Sequence, residues 1–332
     1  MTSSTLNSKL KKTVLFVLGV VLLLFFFEGI LRLYNLNGRN YEIEMWKYGK
    51  LFKRRAANPN LGVEQVPLKR GRLQNTEISI NSAGFRDKEY LIPKPKDVYR
   101  IIVLGSSITF GWGVSEDKTY VSLVEKYLEE RTGKRVELIN AAVPNYNTVR
   151  EIESFFEKCL PFDPDMVILS YFLNDPEIQQ VKSGNFFLKN SQTAVLLWSK
   201  CQQVSRRMGV KEELSAYYER LYSEDYAGWQ QCRQSMRKLM LYSKENNVDV
   251  LVAMIPDMHN LQNYPFKNIH EFVRKKASEL GFSFLDFYDS LKDVRACEIW
   301  AMPGDPHPNA KGHAIMADAL YKYLLKKFSG KN

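Results

Sequence analysis

The sequence predicts an α/β fold, with a parallel sheet covered by helices on both faces, behind one N-terminal transmembrane helix. Three observations carry that prediction. Five short apolar runs recur between residues 100 and 287, each followed later by a helical pattern; strands that alternate with helices build parallel sheets buried on both sides. A long apolar stretch stands apart from this alternation near the start. The 332 residues are 45% hydrophobic and 25% charged, which is enough apolar content to bury the core that such a sheet needs.

Residues 1–12 are a polar tail carrying Lys9, Lys11 and Lys12. Thr13–Phe27 is then apolar throughout, apart from its opening Thr and Gly19. Crossing a bilayer takes roughly 20 apolar residues, and Thr13 to Leu31 meets that length if Glu28 lies near the interface. A cleaved signal peptide would need small residues at a cleavage site, and the chain after Phe27 reads EGILRLYNLNG. The reading is an uncleaved anchor over residues 13–31. Lysines precede it, while Arg32, Arg39, Lys47 and Lys50 follow it, so charge bias orients it weakly. A short N-terminal tail stays inside, which places the bulk of the chain on the periplasmic or extracellular side of the cytoplasmic membrane.

Residues 32–95 read as a polar, basic, membrane-proximal connector. It ends in an extended segment, Glu77–Asn81, and a turn, Asn81–Arg86, built on Gly84. The α/β domain is expected over residues 96–330. Its strands are Arg100–Leu104, Val136–Asn140, Met166–Tyr171, Val248–Ile255 and Phe282–Phe287. Its helices are Tyr120–Arg131, Val149–Cys159, one carrying Trp229, Cys232, Met236 and Leu239, then Asn268–Leu280 and Asn309–Phe328. Residues 176–225 fit no strand–helix unit and read as a mostly helical insertion.

The net charge is +10. No zinc-finger spacing and no basic helix interleaved with aromatics accompanies it, so nucleic acid is not the expected partner. A basic surface beside an anionic bilayer accounts for the charge. None of the four cysteines forms a CxxC pair, which argues against a metal or redox motif. Cys159 and Cys232 sit on apolar helix faces as core thiols. Cys201 and Cys232 could pair in an oxidising compartment, and the sequence leaves that open.

Reacting groups in open α/β sheets gather beyond the carboxyl ends of the strands. The first strand runs into Gly105–Gly113, with hydroxyls at Ser106, Ser107 and Thr109. The second ends in Asn140-Ala141-Ala142, the third in Leu173-Asn174-Asp175, and the fifth is followed by Gly304-Asp305-Pro306-His307. A serine needs an imidazole to take its proton. The imidazole needs a carboxylate to orient it, and the tetrahedral intermediate needs fixed donors. The set therefore suffices for acyl transfer.

From about Tyr99 to Lys327 these blocks resemble the bacterial SGNH/GDSL hydrolase family. The family's G-D-S-x-T-x-G is matched by Gly105, Ser106, Ser107, Ile108, Thr109, Phe110 and Gly111, with Ser106 in place of the aspartate. Its oxyanion glycine is matched by Ala142, and its G-x-N-D by Phe172, Leu173, Asn174 and Asp175. Its last block takes the short D-x-H form, Asp305 and His307. The resemblance implies a flavodoxin-like three-layer α/β/α sandwich with a five-stranded parallel sheet. It implies Ser107 as nucleophile, His307 as base and Asp305 as its orienting carboxylate. The N–H groups of Ser107 and Ala142 and the Asn174 amide would form the oxyanion hole. No metal or organic cofactor is implied.

The expected substrate is an O-acyl ester, such as an O-acetyl ester of cell-envelope carbohydrate. An acetyltransferase to polysaccharide, a lipid esterase and a catalytically degenerate glycan-binding domain remain as rivals. Asp175 reads as structural, His313 as packing or capping, and His259 and His270 as surface. Trp112 and Tyr146 divide between pocket and core. Arg86 divides between the active site and its own turn.

Overall fold

The computed structural model describes residues 3–179, 185–207 and 214–329. Parts of the expected insertion, 180–184 and 208–213, lie outside the described residues, as do residues 1–2 of the tail and 330–332 at the other end.

Five strands form the sheet: β1 (Val98–Leu104), β2 (Arg135–Asn140), β3 (Met166–Phe172), β4 (Asp249–Ile255) and β5 (Ser283–Asp286). All neighbours are parallel, in the order β2-β1-β3-β4-β5, which is the flavodoxin-like order. Successive residues of a strand face opposite sides of its sheet. Consecutive buried residues along β1, β3 and β4 therefore mean that both faces are covered. That double burial is why the runs read as continuously apolar rather than alternating.

Four of the covering helices pack as two pairs, Tyr120–Thr132 with Ala310–Ser329, and Thr148–Ser154 with Ala227–Asn246, and Lys267–Glu279 covers β4 and β5. Thr119 caps the first of these by accepting from Ser122 N at 3.2 Å, and Gly133 closes it at φ 63. Such a cap contributes about 1 kcal/mol. The expected helix over Val149–Cys159 is present, with Phe155–Cys159 wound as a π turn.

Residues 51–95, expected as a connector, belong to the same compact unit as the sheet. Lys53–Arg55 pairs antiparallel with Val63–Gln65, and Arg70–Leu73 with Thr76–Ser79. Gln74 and Asn75 join the second hairpin with φ of 47 and 58, the backbone of a two-residue primed turn. Asn81 Oδ1 then accepts from the Ala83 and Phe85 amides at 3.1 and 2.9 Å. Asp87 Oδ2 accepts from the Asn140 amide at 2.7 Å, so this segment seals the edge strand β2. The composition that suggested a linker reflects strands of three and four residues with little buried side chain.

A second compact unit comprises residues 1–50 and 182–211. Its helix Ser3–Tyr34 contains a stretch long and apolar enough to cross a membrane. Its other helices include Phe186–Asn190 and Gln192–Arg207. The four cysteines are free thiols, Cys159 and Cys232 buried, Cys201 and Cys297 exposed.

Candidate active site

β1 and its two neighbours, β2 and β3, create the switch point at which open α/β sheets leave a crevice. The chain leaves β1 through Gly105. A Cβ there would lie 2.3 Å from Thr109 Oγ1 and 3.1 Å from Ser170 Cβ, so the sharp exit depends on glycine. Ser107 opens the single helical turn Ser107–Phe110, which Gly111 closes at φ 81. The Ser106 side chain makes no capping bond to that turn.

Ser107 Oγ lies 2.8 Å from His307 Nε2. His307 Nδ1 lies 2.5 Å from Asp305 Oδ1, which also accepts from the His307 amide at 3.1 Å. The three expected residues thus form one hydrogen-bonded chain. Asp305–Pro308 is held as a strand by Trp300–Met302. Asn309 Nδ2 ties the segment back to the carbonyls of Glu298 and Trp300 at 2.9 and 3.1 Å.

Asp305 is fully buried, so its second oxygen needs a partner. Gln74 supplies it, Nε2 donating to Oδ2 at 2.9 Å. This residue was not anticipated. Nothing in the sequence points across the 231 positions from Gln74 to Asp305.

Arg86 is buried, and its guanidinium donates to the carbonyls of Phe110, Gly111 and Val114 at 3.1, 2.6 and 2.7 Å. It clamps the loop that follows the Ser107 turn. Of its two readings, structural support extends beyond its own turn to the site loop.

The expected oxyanion groups lie at neighbouring strand ends. Asn140 Nδ2 donates to the Thr109 carbonyl at 2.8 Å, and Asn140 Oδ1 accepts from the Ala142 amide at 3.3 Å. One side chain thus ties the Ala142 amide to the turn bearing Ser107. Asn174 follows β3, half-buried, with its carbonyl accepting from the Glu177 amide at 2.8 Å. Among the described residues its side-chain amide makes no hydrogen bond.

Asp175 is buried and accepts from Thr148 Oγ1 at 2.7 Å. Burial raises its carboxyl above the usual range, and that of Glu151 further still, because the Asp175 charge lies near. Neither Glu151 oxygen has a hydrogen-bond partner among the described residues.

His313 is buried, stacks on Tyr120 and accepts from the Tyr120 amide at 3.2 Å. Burial first, then the Arg86 charge, depresses it to about 3, so it packs as a neutral ring. His270, expected at the surface, is instead buried between Asp286 and Tyr264, at 2.8 and 2.7 Å. Two polar partners satisfy its ring nitrogens, which a lone histidine in a sequence does not reveal. His259 is exposed as expected, but its Nδ1 lies 2.7 Å from Asp257 Oδ1, which raises it above the usual imidazole value, with the more distant Asp305 charge adding to the shift.

Trp112 and Tyr146 are both buried. The Tyr146 hydroxyl donates to the Val63 carbonyl at 2.5 Å, fastening the first hairpin to the β2 exit. Among the described residues no three His, Cys, Asp or Glu side chains are grouped to hold a metal ion.

Residues 103–315 match the family model described as the GDSL-like lipase/acylhydrolase family. Over 193 residues the chain is 21% identical to glutamate–tRNA ligase 2 of Caldicellulosiruptor saccharolyticus, covering 57% of this chain and 35% of that protein. The chain thus spans about a third of the length of that curated relative. Among solved structures it is similar to TesA, with 16% identity and a TM-score of 0.44 over 68% of this chain and 98% of that one. It is also similar to a two-domain esterase active on acetylated mannans, with 18% identity and a TM-score of 0.45 over 69% of this chain and 49% of that one. A third is a catalytic mutant of an acetylxylan esterase from Geobacillus stearothermophilus, with 16% identity and a TM-score of 0.43 over 68% and 93% of the two chains.

Proposed function

Because the chain belongs to the GDSL-like lipase/acylhydrolase family, we propose that it is a serine ester hydrolase in which Ser107 is the nucleophile, His307 the general base and Asp305 its orienting carboxylate. The observation that carries this reading is the continuous chain from Ser107 Oγ through His307 to Asp305, at 2.8 and 2.5 Å.

Ser107 Oγ attacks the ester carbonyl carbon while His307 Nε2 takes its proton. The carbonyl oxygen becomes an oxyanion, stabilised by the N–H groups of Ser107 and Ala142 and by the Asn174 amide. The long 3.3 Å bond from the Ala142 amide to Asn140 is one that a charged oxygen can outcompete. When the intermediate collapses, the ester C–O bond breaks and the imidazolium returns its proton to the leaving alcohol. Water, deprotonated by the same imidazole, then attacks the acyl-Ser107 ester and releases the acid. Asp305 orients the imidazole throughout, held on its outer oxygen by Gln74.

The substrates are O-acyl esters, in particular O-acetyl esters of cell-envelope carbohydrate. The domain boundaries, with an anchor over residues 13–31 and a catalytic domain on the periplasmic or extracellular side, belong to the same reading. An acetyltransferase would use the same acyl-Ser107 intermediate with a sugar hydroxyl in place of water. A degenerate glycan-binding domain would have no need of the intact serine–imidazole–carboxylate chain.

A series of p-nitrophenyl esters of increasing acyl length tests the proposal, with Ser107→Ala as control. The expected result is turnover that is greatest for acetyl and abolished in the variant. Turnover that survives Ser107→Ala, or none on any ester in a folded protein that binds glycan, would overturn it.

A further inference from the structure

We propose that the helices Phe186–Asn190 and Gln192–Arg207 form a second membrane-contacting element, seated in the headgroup layer of the bilayer beside the N-terminal helix. The proposal rests on the reading of that helix as a membrane anchor. The anchor's apolar run ends at Phe27, and the next side chain, Glu28, is bound into the insertion. Its carboxylate accepts from Ser191 Oγ at 2.9 Å, the Gln192 amide at 3.0 Å, and the Thr193 amide and hydroxyl at 3.0 and 2.9 Å. A carboxylate on the unpaired amides of a helix start satisfies them and complements the helix dipole.

Arg32 bonds Glu28 at 2.8 Å and donates to the Asn190 carbonyl at 2.9 Å, and Lys50 donates to the Lys189 carbonyl at 3.1 Å. One helix end thus receives cations and the next helix start an anion, both from the anchor side. Glu28 and Arg32 are one turn apart, about 6 Å along the axis, which is close to the depth of one headgroup layer, about 5–8 Å. A segment fastened to both residues is held at that depth.

That segment exposes Phe186 at 74%, Phe187 at 68% and Trp198 at 44%. Large exposed aromatics are costly in water, and interfacial helices use such residues to enter the acyl boundary. The charged Lys189 beside the two phenylalanines suits an anionic headgroup. The occupant the surface fits is therefore lipid.

The test uses the full chain, with Cys201→Ser and Cys297→Ser, in vesicles of phosphatidylethanolamine and phosphatidylglycerol. Nitroxide labels are placed singly at Phe187→Cys, Leu22→Cys and Lys126→Cys, and collisions with oxygen and with a water-soluble nickel chelate are compared. The labels at 187 and 22 should meet oxygen several-fold more often than nickel, and the label at 126 should do the reverse. A nickel preference at 187 with an oxygen preference at 22 would overturn the proposal while leaving the anchor intact. Exclusion of both reagents at 187, with dipolar broadening, would place a second copy of the chain there and also overturn it. A nickel preference at 22 would remove the anchor reading, and the proposal with it.

Discussion

Gln74 Nε2 donates to Asp305 Oδ2 at 2.9 Å, on the carboxylate oxygen opposite the one bound by His307. A turn residue of the second hairpin thus completes the hydrogen bonding of a fully buried carboxylate. Gly113 leaves the space: a Cβ there would come within 2.8 Å of Gln74 Oε1. In the proposed mechanism Gln74 is a positioning residue, acting on the reaction through Asp305.

Gln74→Ala is expected to lower kcat about ten- to a hundredfold, the scale of one hydrogen bond to a charged group, with little change in KM. Without its outer donor, the buried Asp305 carboxylate is no longer held in register with the imidazole. Steady-state kinetics and a thermal melt separate this role from a structural one: a kcat loss at an unchanged melting temperature supports it, and normal kcat in a protein of lower stability would overturn it.

A fluorophosphonate should label the protein covalently at Ser107. Ser107→Ala should abolish labelling, and His307→Ala should reduce it strongly. Ser106→Ala should retain it, since the Ser106 side chain makes no bond to the helical turn. Labelling that is lost with Ser106→Ala and kept with Ser107→Ala would shift the nucleophile by one residue.

Asn174→Ala should cost roughly 10²–10³ in kcat, the usual scale for one oxyanion donor, with KM little changed. Its amide has no competing hydrogen bond among the described residues, so the folded state loses little. Steady-state kinetics together with a thermal melt separate the two effects. A rate loss matched by an equal rise in KM would assign Asn174 to substrate binding instead.

The legible part of this fold was the part where residue chemistry and burial coincide. β3 and β4 could be read because consecutive apolar residues are buried on both faces. Ser107, Asn174 and the Asp305–His307 segment could be placed beyond the strands because reacting groups of open α/β sheets gather at the carboxyl ends. Of the hairpins of residues 53–79 only the extended segment from Glu77 could be read, since the short strands are mostly half-exposed and polar. Arg86, His270 and Gln74 share a different obstacle. Each is a polar side chain whose burial is tolerated through partners 24, 16 and 231 positions away, and only folding brings those partners into view.

Glu151 and Asp175 give the protein a stability that falls as pH rises. Both carboxyls are buried beneath the Asn174 turn, and burial raises both above their unfolded values, Glu151 the more because Asp175 lies near. At a pH below about 3 both groups are protonated in the folded and unfolded chains alike, and neither contributes a slope. Above that, the unfolded chain releases its protons while the folded chain keeps them. The folded state then binds more protons, so unfolding becomes easier by up to about 1.4 kcal/mol per pH unit for each such group. Glu151→Gln removes one of the two groups and keeps a neutral side chain of the same size in its place. Its melting temperature relative to wild type should therefore rise between about pH 5 and about pH 8, the range over which the linkage acts. Circular dichroism melts at the two pH values measure this difference. A difference that stays constant or shrinks with pH would mean that Glu151 is already ionised in the folded protein, its charge met by a group other than Asp175.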